Sequence, residues 1–292
     1  MRDAERCTQG GRTKQNGNCT NPDPADRLPV QCVGPWAPQK HHYLRQYVEA
    51  TRAVRAKYLP GSSRRGVIPG GAAFIDLFAG PGRARIFSNG SIIDGSPLIA
   101  LAHEPAPFSR VILCEVDEEN VTALRARTVK YEPRVRIVPG DCNENIDEII
   151  SLVPFYGLNL ALIDPFNLES LSFDTLTKLA QVRRMDLIVH FPTMDAKRNY
   201  AQGAVEKLGK ATGSTAITEL IRSPKDTAKA ISELRANLEQ LGYTGYESRS
   251  PPIRNTMNGT LYHLVYFSKA DRGDAIWNSI AKRTAGGQYS LL

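Results

Sequence analysis

Nine residues, Phe74 to Gly82 in the run FIDLFAGPG, constrain this chain more than any other stretch. Phe74, Ile75 and Leu77 suit a strand buried on both faces of a parallel sheet, with Asp76 inside the run and a Gly-Pro-Gly turn close behind it. Glycine at positions 80 and 82 permits backbone conformations, and a close ligand approach, that a β-carbon obstructs. A strand followed by such a turn delivers a loop to the carboxyl edge of an open α/β sheet, where sheets of this kind bind ligands. The spacing is not the G-x-G-x-x-G of a dinucleotide site, and no P-loop Gly-Lys-Ser/Thr occurs. Taken alone, the nonapeptide also fits a glycine-rich turn in some other α/β sheet.

The segments that follow repeat the pattern of strand, acidic turn and helix. In RVILCEVDEENVTALRAR an apolar run from Val111 to Leu113 reaches Glu115 and Asp117, and Val121 and Leu124 then take helical spacing. A carboxylate ending a second strand can accept from both hydroxyls of a ribose, which assigns Glu115 to the sugar and Asp117 to the helix N-cap, with the exchanged roles as the alternative. VRIVPGDCNENIDEII gives a third strand from Val135 to Val138, followed by Gly140 and Asp141. Asp141 suits either an adenine amino group or a turn. A fourth strand, LNLALIDPF, ends in Asp164-Pro165-Phe166, and a fifth, Leu187 to Phe191, carries His190, which fits either packing or function. In methyltransferase-like Rossmann domains a loop such as 74–82 wraps the amino-acid end of S-adenosylmethionine, so Asp76, Phe78, Gly80 and Gly82 are expected at that end. Amino-methylating enzymes carry an Asp-Pro-Pro-aromatic turn, and here one proline is missing. Asp164 and Phe166 still offer a polar clamp and a stacking face for an acceptor, with a structural turn as the alternative.

In their order along the chain, these segments resemble the three-Cys-motif partner protein family, TcmP. The resemblance rests on WAPQKHHYLRQYVEATRAVRAKYL, FIDLFAGPGRARI, GSPLIAL, IDPFNLESLSF, DLIVHFP and YHLVYFSKADRGDAIWNSI, and it covers most of the chain. It implies a methyltransferase-type Rossmann fold and a separate companion protein with a three-cysteine, radical-S-adenosylmethionine-like motif. It implies no substrate, and it does not make the cysteines of this chain that motif.

The expected fold is α/β: a mostly parallel central sheet with a C-terminal antiparallel strand pair and helical additions. Residues 1–33 are polar and turn-rich and read as an irregular tail, and 34–292 as a single methyltransferase-like domain. Within it, 34–66 reads as a basic amphipathic helix with Trp36, Tyr43, Leu44, Tyr47, Val48, Val54 and Tyr58 on its apolar stripe. Between Lys40 and Arg65 it carries seven Lys or Arg against one acid, in a chain of net charge +7, so it is either a nucleic-acid surface or a solvated face. Residues 195–223 read as a helical and loop insertion, and 225–241 as an amphipathic helix. YTGYESRS and LYHLVYFSK read as a strand pair around PPIRNTMNG, with a closing helix from Asp271 to Arg283. In RARIFSNGSIIDG, Arg83 and Arg85 face either an anion or structural partners, and Ser96 reads as an N-cap before Pro97. Cys7, Cys19, Cys32, Cys114 and Cys142 are odd in number and lack the short pairings of a zinc site, so reduced thiols and no metal are expected. No apolar run reaches the roughly 20 residues of a membrane span and the start lacks a signal-peptide core, which predicts a cytoplasmic protein. Two functions fit: a methyltransferase using S-adenosylmethionine on an acceptor that includes nucleic acid among its candidates, or a noncatalytic scaffold for the companion.

Overall fold

The computed structural model describes residues 13–61, 70–103, 106–194, 204–223, 226, 229–244 and 249–282. In chain order the strands are β1 (Gln31–Val33), β2 (Ala72–Asp76), β3 (Arg83–Ile86), β4 (Ile92–Asp94), β5 (Arg110–Glu115), β6 (Val135–Pro139), β7 (Leu158–Ile163), β8 (Met185–Phe191), β9 (Pro252–Arg254) and β10 (Thr260–Phe267). The helices are α1 (Ala37–Ala50), α2 (Arg52–Arg55), α3 (Ser96–Leu101), α4 (Glu118–Thr128), α5 (Ile146–Ser151), α6 (Phe173–Ala180), α7 (Ala204–Thr212), α8 (Ile217–Leu220), α9 (Lys229–Glu239) and α10 (Asp271–Ala281).

β2 is buried along its whole length, as its apolar run requires, and it pairs in parallel with β5 on one side and β7 on the other. The main sheet is seven-stranded in the order β6-β5-β2-β7-β8-β10-β9. β10 runs antiparallel to both β8 and β9, and the remaining pairs are parallel. This is a methyltransferase-like α/β fold. Successive strands step outward in one direction from β2 and then in the other from β7, so the crevice at the carboxyl ends of β2, β5 and β7 is a topological switch point. Alternation along β2 feeds two cores: Ala73 and Ile75 pack on one face of the sheet, Ala72 and Phe74 on the other.

Several expectations are corrected. From Thr13 onward the segment read as an irregular tail packs on the domain: it supplies β1, which pairs with β3 in a second, three-stranded sheet with β4. Its polar composition suits burial because its partners are polar. Asn18 donates to Asn120 at 2.7 Å in a buried pair, and Arg127 donates to Asp26 at 2.9 Å. Cys19 is buried there rather than carried on a mobile tail, and Cys7 lies outside the described residues. The insertion RARIFSNGSIIDG is the β3–β4 hairpin, and Gly95 takes the N-cap position assigned to Ser96. The basic helix is two helices, and its charge is not all on the surface. Lys40 turns inward to Asp164, while the buried Arg55 guanidinium donates to the Ala106 carbonyl at 2.7 Å and sits 4.4 Å over the Phe108 ring. Arg64 and Arg65 lie outside the described residues. The last strand pair starts at Pro252 inside the stretch read as a turn, because Asn255 Oδ1 accepts from the amides of Met257 and Gly259 and closes a tighter turn. Residues 245–248 of YTGYESRS lie outside the description; Thr244 bridges to Ser268. Among the described residues no helix is long and apolar enough to cross a membrane.

Candidate functional site

A cavity of about 450 Å³ opens at the switch point, within the 300–1,000 Å³ or so typical of small-molecule sites. Its inner wall is the turn predicted from the nonapeptide. Gly80 and Gly82 both have positive φ, 62° and 85°, and a β-carbon on Gly82 would lie 3.3 Å from Leu124 Cδ1, so this cradle requires glycine. Glu115, at the end of β5, is 8% exposed and holds that turn: its Oε2 accepts from the Gly80 amide at 2.7 Å and its Oε1 from the Asp117 amide at 2.8 Å. Each carboxylate oxygen keeps a further lone pair for a ligand hydroxyl. Asp117 is the N-cap of α4, accepting from the Asn120 amide at 3.0 Å, as expected of it. Asp141 lines the same cavity while accepting from the backbone and side-chain nitrogens of Asn143 at 2.7 and 2.8 Å.

Asp76 does not line the cavity. It lies buried beneath the turn, where Oδ1 accepts from the Phe78 amide at 3.2 Å and Oδ2 has no partner. Burial pushes its carboxyl up to about 7, against the nearby Ser96 side chain and the Phe78 amide, which pull it down. Its part is to support the loop, because a strand buried on both faces directs even its carboxylate inward. Phe78 remains at the wall.

At the other end, Asp164 is occupied by its own protein. One carboxylate oxygen pairs with His190 Nδ1 and the other accepts from Lys40 Nζ. Burial raises the carboxyl, but these two partners outweigh it and hold it well below the usual range. His190 is stacked on Tyr262, ring centroids 5.4 Å apart and 21° between planes, and burial lowers its affinity for a proton. His41 faces the cavity from α1 with Nδ1 buried and unpartnered, and burial, with the charges of Lys40 and Arg45, pushes it down to about 3. Pro165 is buried, whereas Phe166 is 74% exposed at the rim.

Arg83 and Arg85 take their structural alternative. Arg83 pairs with Asp23 at 3.1 Å and Asp94 at 3.4 Å, and Arg85 donates to the Pro22 carbonyl at 2.7 Å. The cavity residues that strand-by-strand reading missed include Lys40, His41, Gln15, Asn16 and Gln31, all from chain N-terminal to β2. Nothing local marks them: WAPQKHH reads as the start of a helix, and Gln15 to Gln31 as turns. Among the described residues no His, Cys, Asp and Glu cluster suits a metal ion.

No family model and no curated protein sequence matches the chain. Similar solved structures include the methyltransferase domain of bacterial CtHen1, at 15% identity over 79% of this chain and 98% of that one with a TM-score of 0.42. Cofactor-bound Rv0187 from MTB is similar at 13% identity over 79% and 78% of the two chains, TM-score 0.42. M. jannaschii TYW2 in complex with AdoMet is similar at 13% identity over 67% of each, TM-score 0.37.

Proposed function

We propose that this protein is a methyltransferase using S-adenosylmethionine. The observation that carries the reading is the glycine turn at the switch point, clasped by the Glu115 carboxylate, at the wall of a cavity large enough for a nucleoside-sized ligand. When bound there, the cofactor supplies a methyl group on a positively charged sulfur. The chain's own residues bind and orient: Gly80 and Gly82 bring backbone close to the amino-acid end, Glu115 takes the ribose hydroxyls, and Asp141 borders the adenine. Asp164 and Phe166 face the acceptor, with Lys40 and His190 keeping the carboxylate ionised and fixed. Most acceleration then comes from alignment and a preorganised charge field. The exposed Phe166 ring and the net charge of +7 favour a nucleic-acid acceptor, its base stacked on the ring and its phosphates drawn to the surface.

A second reading has its own support. Both oxygens of Asp164 already have protein partners and Lys40 balances its charge, which weakens its pull on an acceptor amine and favours a noncatalytic partner that keeps the cofactor fold. The TcmP resemblance supplies that partner's chemistry, a radical-S-adenosylmethionine-like companion. Calorimetric titration with S-adenosylmethionine and S-adenosylhomocysteine tests the main reading. Binding is expected, with Glu115→Ala, checked for folding, losing about 1–3 kcal/mol; no binding by the wild-type protein overturns it. Labelled-methyl transfer to RNA, DNA and the companion then separates enzyme from scaffold.

A further inference from the structure

Resting on the S-adenosylmethionine reading, we propose that Gln31, brought to the site by the N-terminal segment, binds the α-carboxylate of the cofactor's methionine moiety. A carboxylate taken out of water needs a donor, and the expected ones are spent elsewhere. Arg83 is held by Asp23 and Asp94, Arg85 by backbone carbonyls, Lys40 by Asp164, and the Gly80 amide by Glu115. Gln31 is different. β1 lies beside β3 with Gln31 opposite Ala84, two residues beyond the glycine turn, and its carboxamide oxygen Oε1 lies 3.6 Å from where a β-carbon on Gly80 would stand. Its side chain lines the cavity and makes no hydrogen bond among the described residues. A carboxamide also carries two N–H donors, and a half-turn of the amide group, which exchanges its oxygen and nitrogen, aims them at the end of the ligand that the glycine turn wraps.

The segment holding Gln31 is built to stay in place. Asn16 donates to Asp117 at 3.0 Å across the cavity, Asn18 to Asn120, and Arg127 to the Pro29 and Pro81 carbonyls at 2.8 and 2.6 Å, joining the segment to the glycine turn itself. Residues 13–33 therefore form a wall of the cofactor site, and Gln31 is the side chain of that wall aimed at the amino-acid end.

The test compares S-adenosylhomocysteine with 5′-methylthioadenosine, which keeps the adenosine and the sulfur but lacks the amino-acid portion. Affinities are measured by calorimetry on the full chain, with thermal unfolding as the folding control. Gln31→Ala is expected to weaken S-adenosylhomocysteine about tenfold or more, the size of a lost hydrogen bond to a charged group, and to leave methylthioadenosine within about twofold. Gln31→Glu, which sets one carboxylate against another, is expected to weaken S-adenosylhomocysteine further and again spare methylthioadenosine. Unchanged S-adenosylhomocysteine affinity in both variants, or an equal loss for the two ligands, overturns the assignment. A wild-type protein that binds neither ligand overturns the cofactor reading and Gln31's role with it, an outcome visible before any variant is made.

Discussion

At the residue scale the buried Asp76 and the half-buried Asp164 act in opposite directions on pH. Asp76 keeps its proton to about 7 in the folded state but gives it up near 4 when unfolded, so folding takes up a proton between those values. Its share of stability is therefore intact in acid and falls as pH rises through that window, by up to about 4 kcal/mol. Asp76→Asn is expected to flatten the decline between about pH 4 and 7 in chemical denaturation; an unchanged slope means that Asp76 is not the group responsible. Asp164 is held ionised by His190 and Lys40, so its contribution is present above the ordinary carboxylate range and is lost only below about pH 4. Lys40→Ala is expected to shrink that acid-side loss, and a steeper loss refutes the pairing. The positions of Glu115, Asp117 and the two glycines were legible in sequence because strand, turn and helix signals there are local. Asp76 was expected at the ligand because it ends the strand just before the turn, whereas its buried side chain lies beneath that turn. Lys40, His41 and Gln31 carried no signal, since only the tertiary fold brings them to the cavity.

At the scale of elements, the sheet strands and most helices follow from apolar periodicity, while the N-terminal segment does not. Its few apolar residues predict solvation, yet its contacts are charge pairs and side-chain amides directed at α4 and the β3–β4 hairpin, a type of packing that hydrophobic patterning cannot register. Arg127 is the joint between these pieces, 4% exposed on its side chain, bonded to Asp26 and to carbonyls on both the segment and the glycine turn. Removing the guanidinium takes the nearer cation from Asp26, leaves Asp23 with Arg83 alone and frees both carbonyls. Arg127→Ala is expected to cost about 2–4 kcal/mol in urea unfolding and to lower S-adenosylhomocysteine affinity, since segment and turn lose their tie. A change in stability below about 0.5 kcal/mol would show the segment to be a surface appendage.

At the scale of the whole molecule, two helices far apart in sequence, α1 and α10, close the same face of the sheet. α1 and α10 both pack over β10, and Trp277 is the contact they share: fully buried, stacked on Tyr266 at 5.1 Å, 6.0 Å from Tyr43 and 6.3 Å from Tyr47, with its Nε1 donating to the Arg249 carbonyl at 2.7 Å. Tyr47 in turn bonds Asp186 on β8, and α1 carries Lys40 and His41 to the site. Packing of the C-terminal helix thus supports the helix that carries Lys40 and His41 to the cavity. Trp277→Ala opens a large void and orphans a carbonyl, and it is expected to cost about 3–5 kcal/mol. Because one sheet joins the cores on its two faces, the loss should come as a single earlier transition, with far-ultraviolet circular dichroism and Trp36 fluorescence coinciding. Two separated transitions would show that α1 and its tyrosines unfold independently of the sheet. On the proposed cofactor reading, which puts the ribose at Glu115, methylthioadenosine binding is expected to persist in the variant below its transition.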